Sequence, residues 1–102
     1  MKYCCYILYS RSLNHYYIGY TSDLPQRSKL HNSGYFKGKS YTYKANDWEI
    51  YLQIDCESIE QAVYIEKKIK EMKSRKYLEN LKKYPEIVER LLADSQKSNN
   101  GK

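Results

Sequence analysis

Hydrophobic and aromatic residues alternate with other residues along three short runs of the chain, and this period of two indicates β-strands. The first two runs, residues 3–10 and 16–21, are rich in aromatic and β-branched residues, which favour a pleated, half-buried surface. Neither face of the first run is strongly polar. A short polar connection between these two runs suits an antiparallel return. The third run, residues 48–54, alternates most clearly, and four of its residues are expected to point inward: Trp48, Ile50, Leu52 and Ile54.

A helix is predicted directly after the second strand, over residues 24–32. Ser22 and Asp23 can accept backbone N–H bonds at the helix start, and Gln26 follows three residues after Asp23, as in a capping box. Arg27 and His31 are four residues apart, so they project from one face of this helix. We therefore expect the tyrosines of the second strand to meet an arginine and a histidine at one corner between strand and helix.

A second capping box, Ser58 with Gln61, predicts the start of a longer helix. Six apolar residues at helical spacing mark its expected buried stripe: Ile59, Ala62, Val63, Ile65, Ile69 and Met72. Glu66 falls inside this stripe, where an ionised carboxylate is costly unless it is paired, hydrogen bonded or bound to a cation. A satisfied salt bridge is the structural alternative for Glu66. Residues 84–93 predict a last short helix, and the polar residues 94–102 are expected to form a disordered tail.

Composition adds an expectation about the partner. The chain has 102 residues, enough for one domain, and 18 Lys and Arg against 12 Asp and Glu give a net charge of +6. This excess favours a polyanionic partner such as nucleic acid or an anionic membrane surface. No apolar run approaches the roughly 20 residues of a membrane span, so the cytoplasm is the expected location. The three cysteines form neither a disulfide framework nor a spaced metal set, and buried reduced thiols are expected.

Basic residues are concentrated in two segments. Between residues 24 and 46 there are five Lys or Arg and no acidic residue, and the loop after residue 34 interleaves lysines with aromatic residues. Between residues 67 and 83 there are eight basic and two acidic residues. Such positions suit contacts to a nucleic-acid backbone with stacking on aromatic rings, although a solvated charged face is an equal alternative for the loop. The candidate nucleic-acid contacts are Lys37, Lys39, Lys44, Lys70, Lys73, Arg75 and Lys76.

The order and spacing of five residues resemble those of the GIY-YIG nuclease superfamily: Tyr6, Tyr17, Arg27, His31 and Glu66. The second motif of that superfamily stands unchanged as Tyr17-Ile18-Gly19, whereas the first reads Cys4-Cys5-Tyr6 and keeps only the tyrosine. The segments YYIGYTSDLPQR, HNSG and EKKIK look like those of the small stand-alone bacterial members, which are related to the N-terminal domain of the excision-repair nuclease. The resemblance covers roughly residues 2–83.

The resemblance implies an α+β fold in which a three-stranded antiparallel sheet is flanked by helices, in the order β-β-α-β-α-α, with the nuclease domain in residues 1–93. It implies hydrolysis of DNA phosphodiester bonds with one divalent cation, Mg²⁺ or Mn²⁺, held by Glu66. The five residues named above are the expected catalytic set. Tyr20 stands where the excision-repair relatives have a lysine, so a lysine-assisted mechanism is not carried over to this chain.

The residue types suit this chemistry. Arg27 offers a planar fork of donors to a phosphate. Tyr6 or Tyr17 would position or deprotonate a water molecule, and His31, whose reference pKa lies closer to neutrality, would share that role. The expected partner is DNA, with RNA as an open alternative, in repair or recombination, and the expected state is a monomer or weak homodimer. The alternative function is a non-catalytic nucleic-acid-binding module of the same fold.

Overall fold

The computed structural model describes residues 2–33 and 41–100 of the chain. In these ranges the strands are β1 (Tyr3–Ser10), β2 (His15–Thr21) and β3 (Trp48–Cys56), and a 3₁₀ turn (Tyr41–Lys44) precedes β3. The helices are α1 (Leu24–Asn32), α2 (Ile59–Met72), α3 (Arg75–Lys83) and α4 (Pro85–Asn100). None of these helices has both the length and the apolar composition that crossing a membrane requires.

The three strands form one antiparallel sheet in the order β2-β1-β3, which confirms the α+β fold class. The expected order of elements ended with two helices after β3, whereas the described residues there form three. The additional helix is α3. Lys73 ends α2 in a left-handed conformation with φ of 48°, and Ser74 caps the next helix by accepting the backbone N–H of Tyr77. Because a left-handed residue does not continue an α-helix, the basic segment is divided between two helices.

The central strand β1 is buried on both faces. On one face Cys5 and Ile7 belong to the large cluster, the apolar core between the sheet and helices α2 and α3. The small cluster on the other face consists of Cys4, Tyr6, Leu8, Leu24 and Trp48. This division confirms the expectation that neither face of the first strand is polar. The three cysteines are buried, unpaired thiols, as expected.

Strand β3 contains a bulge that the sequence pattern did not predict. Ile7 pairs with Leu52, whereas the next residue, Leu8, pairs with Ile50. Tyr51 is therefore an extra residue between these two pairs. After such an insertion, the side chains of the strand point to the opposite face of the sheet from the one that simple alternation predicts. The expectation that four apolar residues of this strand share one buried face is wrong, because the first of them joins the small cluster and the last joins the large one. Ile50 is left 48% exposed.

Both predicted helix starts are confirmed by their caps. Asp23 Oδ1 accepts the backbone N–H of Gln26 at 3.2 Å, and α1 then begins at the next residue after the cap. Ser58 Oγ accepts the backbone N–H of Gln61 at 3.1 Å and begins α2 in the same way. These bonds satisfy donors that the first turn of a helix leaves without partners, and they use residues only three apart. Local sequence was therefore enough to locate both starts.

Helix α2 contacts the sheet along a narrower stripe than the sequence predicted. The apolar residues of α2 that are buried are Ala62, Ile65 and Ile69. Three residues expected in the stripe are exposed: Ile59, Val63 and Met72. The buried face of α2 also includes Gln61, which is 3% exposed. Gln61 Oε1 accepts the backbone N–H of Glu57 at 2.8 Å. A polar side chain with its hydrogen bonds satisfied thus occupies a place that hydrophobic periodicity could not assign.

Helix α4 continues to Asn100, past residue 94, where a disordered tail was expected to begin. Ser95 is 1% exposed, and its Oγ accepts a hydrogen bond from Gln61 Nε2 at 2.9 Å. The same hydroxyl donates to the backbone oxygen of Leu92 at 2.6 Å. This contact between α2 and α4 joins residues far apart in sequence, so the polar composition of the segment gave no sign of it. Residues 101 and 102 lie outside the described ranges.

We expect Ser95→Ala to lower the free energy of unfolding by about 1–3 kcal/mol, because Gln61 Nε2 would lose its buried acceptor. Urea unfolding monitored by circular dichroism measures this change. Asp94→Ala, a substitution at the exposed neighbour, is the matched control and should leave the free energy within about 0.5 kcal/mol of the wild type. Equal stabilities for the two variants would show that this part of α4 does not pack on α2.

Candidate active site

The residues expected to be catalytic meet at the edge strand β2. A cavity of about 200 Å³, here called the catalytic cavity, is lined by Tyr6, Tyr17, Gly19, Tyr20, Arg27 and Glu66. Four of the five expected residues line it. The fifth, His31, lies behind Tyr6 with its Nε2 3.0 Å from the Tyr6 hydroxyl oxygen. Residues from two strands and two helices, up to 60 positions apart in sequence, are thus brought to one place.

Gly19 allows Tyr6 to reach this cavity. The two residues face each other across β1 and β2, and a Cβ atom on Gly19 would lie 2.6 Å from Tyr6 Oη and 2.8 Å from Tyr6 Cζ. Real Cβ atoms do not approach other atoms so closely, so either the ring or the strand would have to move. A glycine is required here because the phenol of the central strand lies across the backbone of its neighbour.

His31 is buried and fixes the hydroxyl of Tyr6. It is 1% exposed, and Thr42 Oγ1 lies 2.7 Å from its Nδ1, so both ring nitrogens have hydrogen-bonding partners within the protein. The Tyr17 ring lies 4.8 Å from the imidazole between ring centroids. His31 therefore contacts the catalytic cavity through Tyr6 and does not line it.

The environment keeps both groups uncharged at neutral pH. Burial raises the pKa of Tyr6 above its ordinary value, and the nearby Tyr17 raises it further. Burial, with a smaller effect from the positive charge of Arg27, lowers the pKa of His31 from 6.5 to about 4. Tyr6 thus holds its proton and His31 is a neutral imidazole, so the two can form a hydrogen bond between neutral groups.

Arg27 and Glu66 supply the opposite charges at the cavity. Arg27 projects from α1 and Glu66 from α2, and the two helices lie on opposite faces of the sheet. The Glu66 side chain is 17% exposed and pairs with Lys70 one turn later, at 3.1 Å between Oε2 and Nζ. Lys70 itself is 51% exposed. The salt bridge expected as the structural alternative for Glu66 is therefore present, on a carboxylate that also lines the cavity.

The donor set fits a hard divalent cation held by few protein ligands. Within residues 2–33 and 41–100 there is no group of three or more His, Cys, Asp or Glu side chains that could hold a metal, so a tetrahedral zinc site does not fit there. Mg²⁺ typically uses one or two carboxylates and completes its shell with waters and substrate phosphate oxygens. Glu66 is the carboxylate that lines the catalytic cavity, and a single carboxylate beside open space suits that mode of binding.

A second cavity, of about 230 Å³, lies next to the first between β2 and the junction of α2 with α3. Three of the expected nucleic-acid contacts line it: Lys70, Lys73 and Arg75. Arg75 also has a structural role, since its guanidinium donates to the backbone oxygen and Oδ1 of Asn14 at 2.8 and 2.9 Å and lies 5.1 Å from the Tyr16 ring centroid. The cavity adjoins the catalytic cavity through Lys70, the partner of Glu66.

Two of the remaining expected contacts fall within the described residues. Lys76 is exposed in the first turn of α3, and Lys44 is exposed in the 3₁₀ turn before β3. Lys37 and Lys39 lie outside the described residues. Among the expected contacts in the described residues, those that lie beside the catalytic cavity are therefore Lys70, Lys73 and Arg75.

Two residues with a direct bearing on the site were missed in the sequence. Gly19 carried a usable signal, because an isolated glycine inside a strand marks a bulge or a close backbone approach. Thr42 carried no such signal, because it lies in a polar segment of the sequence. It contacts His31 only after α1 and β3 have packed together. Thr42 is completely buried, with an exposure of 0%.

The structure is thus a small α+β domain in which tyrosines, an arginine and a glutamate line one cavity. A family model described as the GIY-YIG catalytic domain matches residues 2–80, and the chain belongs to the GIY-YIG family. Members of this family are endonucleases that cleave DNA and generally use divalent metal ions. A comparison with curated proteins and one with solved structures each gave no match.

We expect Gly19→Ala to lower cleavage by about a hundredfold, because the added methyl group displaces the Tyr6 ring and a misplacement of about 1 Å can cost that much. The cause is tested by a double-mutant cycle with Tyr6→Phe, monitored by thermal unfolding. A phenylalanine lacks the oxygen that meets the methyl group and is not tethered to His31, so Gly19→Ala should destabilise that background less. Equal destabilisation in both backgrounds would contradict the proposed clash.

Proposed function

We propose that this chain is an endonuclease that hydrolyses DNA phosphodiester bonds with the help of a divalent cation, Mg²⁺ or Mn²⁺. The observation that carries the proposal is the convergence of Tyr6, Tyr17, Arg27 and Glu66 on one open cavity. Each of these residues comes from a different element, so their meeting is a property of the whole fold. Phosphodiester hydrolysis requires a positioned water, positive charge near the phosphoryl oxygens and room for the substrate.

Each side chain has a chemical role that suits its place. Glu66 would hold the cation, which when bound neutralises charge on the phosphoryl oxygens and lowers the pKa of a water molecule. Arg27 donates paired hydrogen bonds to phosphate oxygens. Tyr17, half-buried in the cavity wall, positions the attacking water with its hydroxyl. Tyr6 acts as a hydrogen-bonding group that keeps its proton, because its raised pKa makes a phenolate costly.

The basic surface beside the cavity is proposed to hold the DNA backbone. Lys70, Lys73 and Lys76 are exposed, and the first two line the cavity that adjoins the catalytic one. Positive charge within a few residues of Glu66 suits the phosphates that flank a scissile bond. The proposed set also includes three lysines predicted from the sequence of the loop region, Lys37, Lys39 and Lys44.

One observation favours the alternative of a non-catalytic binding module. Lys70 occupies one oxygen of Glu66 at 3.1 Å, and a pair that persisted in the complex would compete with a cation for the carboxylate.

A panel of duplex, flap, junction and single-stranded DNA, with RNA included, separates the two functions when it is incubated with and without Mg²⁺. Cleavage that depends on Mg²⁺ supports the enzyme, and cleavage concentrated on flaps or junctions supports a role in repair or recombination. Binding with no cleavage of any substrate supports the module.

We expect Glu66→Gln to lower cleavage at saturating DNA by about a hundredfold or more, because the amide keeps the shape of the side chain and loses the charge that binds the cation. The stability should change by no more than about 0.5 kcal/mol, since the substitution removes only an ion pair within one helix whose lysine is 51% exposed. Lys70→Gln is the matched control, because it removes the same ion pair and leaves the carboxylate. Similar activities for the two variants would show that Glu66 acts only through its salt bridge.

We expect the double variant Lys73→Glu and Lys76→Glu to weaken DNA binding and to reduce its dependence on salt. Removing one lysine–phosphate interaction should lower the slope of log K against log [salt] by about 0.9 on duplex DNA. Fluorescence anisotropy over a range of KCl concentrations measures this slope. Lys68→Glu makes the charge change of one such substitution on the face of α2 opposite Lys70 and is the control for each single variant. A slope that stays at the wild-type value in the double variant would place the DNA on another surface.

A further inference from the structure

Thr42 begins a series of hydrogen bonds that ends at the wall of the catalytic cavity. Its Oγ1 lies 2.7 Å from His31 Nδ1, and His31 Nε2 lies 3.0 Å from the hydroxyl oxygen of Tyr6. Thr42 and His31 are both buried, and Tyr6 alone of the three lines the cavity. The series therefore connects the interior of the protein with the group that faces the substrate.

The threonine is held in place from a second direction. Its backbone oxygen accepts a hydrogen bond from the indole nitrogen of Trp48 at 2.8 Å. The backbone N–H and oxygen of Trp48 are in turn paired with the side-chain amide of Asn32, at 2.7 and 2.9 Å. The 3₁₀ turn, the end of α1 and the start of β3 are thus fixed to one another, and the Thr42 hydroxyl has a defined position relative to His31.

A neutral imidazole has one N–H, and the partners of its two nitrogens decide which nitrogen carries the proton. In one arrangement Nε2–H donates to Tyr6, and the Tyr6 proton then points into the catalytic cavity. In the other arrangement Tyr6 donates to Nε2, and Nδ1–H donates to Thr42 Oγ1. The second arrangement leaves both lone pairs of the Tyr6 oxygen free of the imidazole, whereas in the first one of them is used by Nε2–H and the O–H proton faces the cavity.

The charge of Arg27 favours the second arrangement. Arg27 lines the same cavity as Tyr6, and its positive charge acts on the Tyr6 hydroxyl. A guanidinium has donors and no acceptor, so an oxygen lone pair directed toward it is favoured over an O–H proton. The hydroxyl proton of Tyr6 is then directed to His31, and the imidazole must accept it at Nε2.

We propose that Thr42 is a positioning residue, which holds His31 as the Nδ1–H tautomer and thereby presents the Tyr6 oxygen to the catalytic cavity as a hydrogen-bond acceptor. In this state the oxygen accepts a hydrogen bond from a water molecule and fixes one of its protons, so a water lone pair can face the phosphorus. The catalytic part of this inference rests on the proposed nuclease function. The tautomer itself does not, because it follows from contacts within the protein.

The tautomer is measured directly by ¹⁵N NMR of the full-length protein at neutral pH, without metal or DNA. The chain has two histidines, and the variant His15→Gln assigns the signals of His31. The wild type should show His31 with its proton on Nδ1. Thr42→Val removes the oxygen that accepts this proton at nearly constant volume, and the proton should move to Nε2. Thr42→Ser keeps the hydroxyl and should keep the Nδ1–H form.

Cleavage kinetics supply the second readout. Thr42→Val should lower kcat by about tenfold, the loss expected for one misdirected hydrogen bond, and leave KM unchanged, while Thr42→Ser should restore most of the rate. Thr21→Val makes the same substitution at the end of β2, where the hydroxyl accepts the backbone N–H of Asp23, and should leave kcat unchanged. These variants are compared only after thermal unfolding shows that each one folds.

Two results would overturn the proposal. A wild-type spectrum with the His31 proton on Nε2 does so by itself, even if Thr42→Val fails to fold. A Thr42→Val spectrum that keeps the proton on Nδ1 does so as well, because the threonine would then have no part in choosing the tautomer. If the wild type cleaves no substrate, the proposed function fails, while the NMR spectra still decide the tautomer.

Discussion

Burial of β1 on both faces is the constraint on which the rest of the structure depends. A strand with two apolar faces needs cover on each side, and Leu24 of α1 with the Trp48 side chain covers one face while α2 and α3 cover the other. Tyr6 places a phenol hydroxyl inside this strand's packing and is 2% exposed. A buried phenol requires a hydrogen-bonding partner, and His31 supplies it. The packing of the central strand and the arrangement of the site therefore have the same cause.

The edge position of β2 explains how residues from opposite faces of the sheet meet. Arg27 belongs to the helix on one face and Glu66 to the helix on the other, so a continuous sheet would keep them apart. They line one cavity because the sheet ends at β2, and because Gly19 has no side chain to fill the space at that edge. A site of this kind needs an edge strand, which also leaves backbone and charge accessible to an extended partner such as a DNA strand.

The electrostatics of the site place unlike charges around a neutral centre. Burial keeps Tyr6 and His31 uncharged, while Arg27 and the pair of Glu66 with Lys70 stand at the rim of the cavity. A neutral hydrogen-bonded centre costs little to bury, whereas the charged groups remain near water, where their solvation is partly kept. This separation lets one small domain hold a polar site without an unpaired charge in its core.

The sequence by itself determined the strands, both capped helix starts, the two apolar faces of β1 and four of the residues that line the catalytic cavity. Some of these features depend on hydrogen bonds between residues three or four apart, and others on the alternation of side chains along a strand. The rest depend on short motifs that can be read directly in the sequence. Tertiary structure alone decided the bulge that exposes Ile50, the ordered end of α4 around Ser95, and the contact of Thr42 with His31. Each of these depends on how two segments that are distant in sequence pack against each other. The free energy of such a contact comes from both segments, and no local sequence pattern relates one segment to the other.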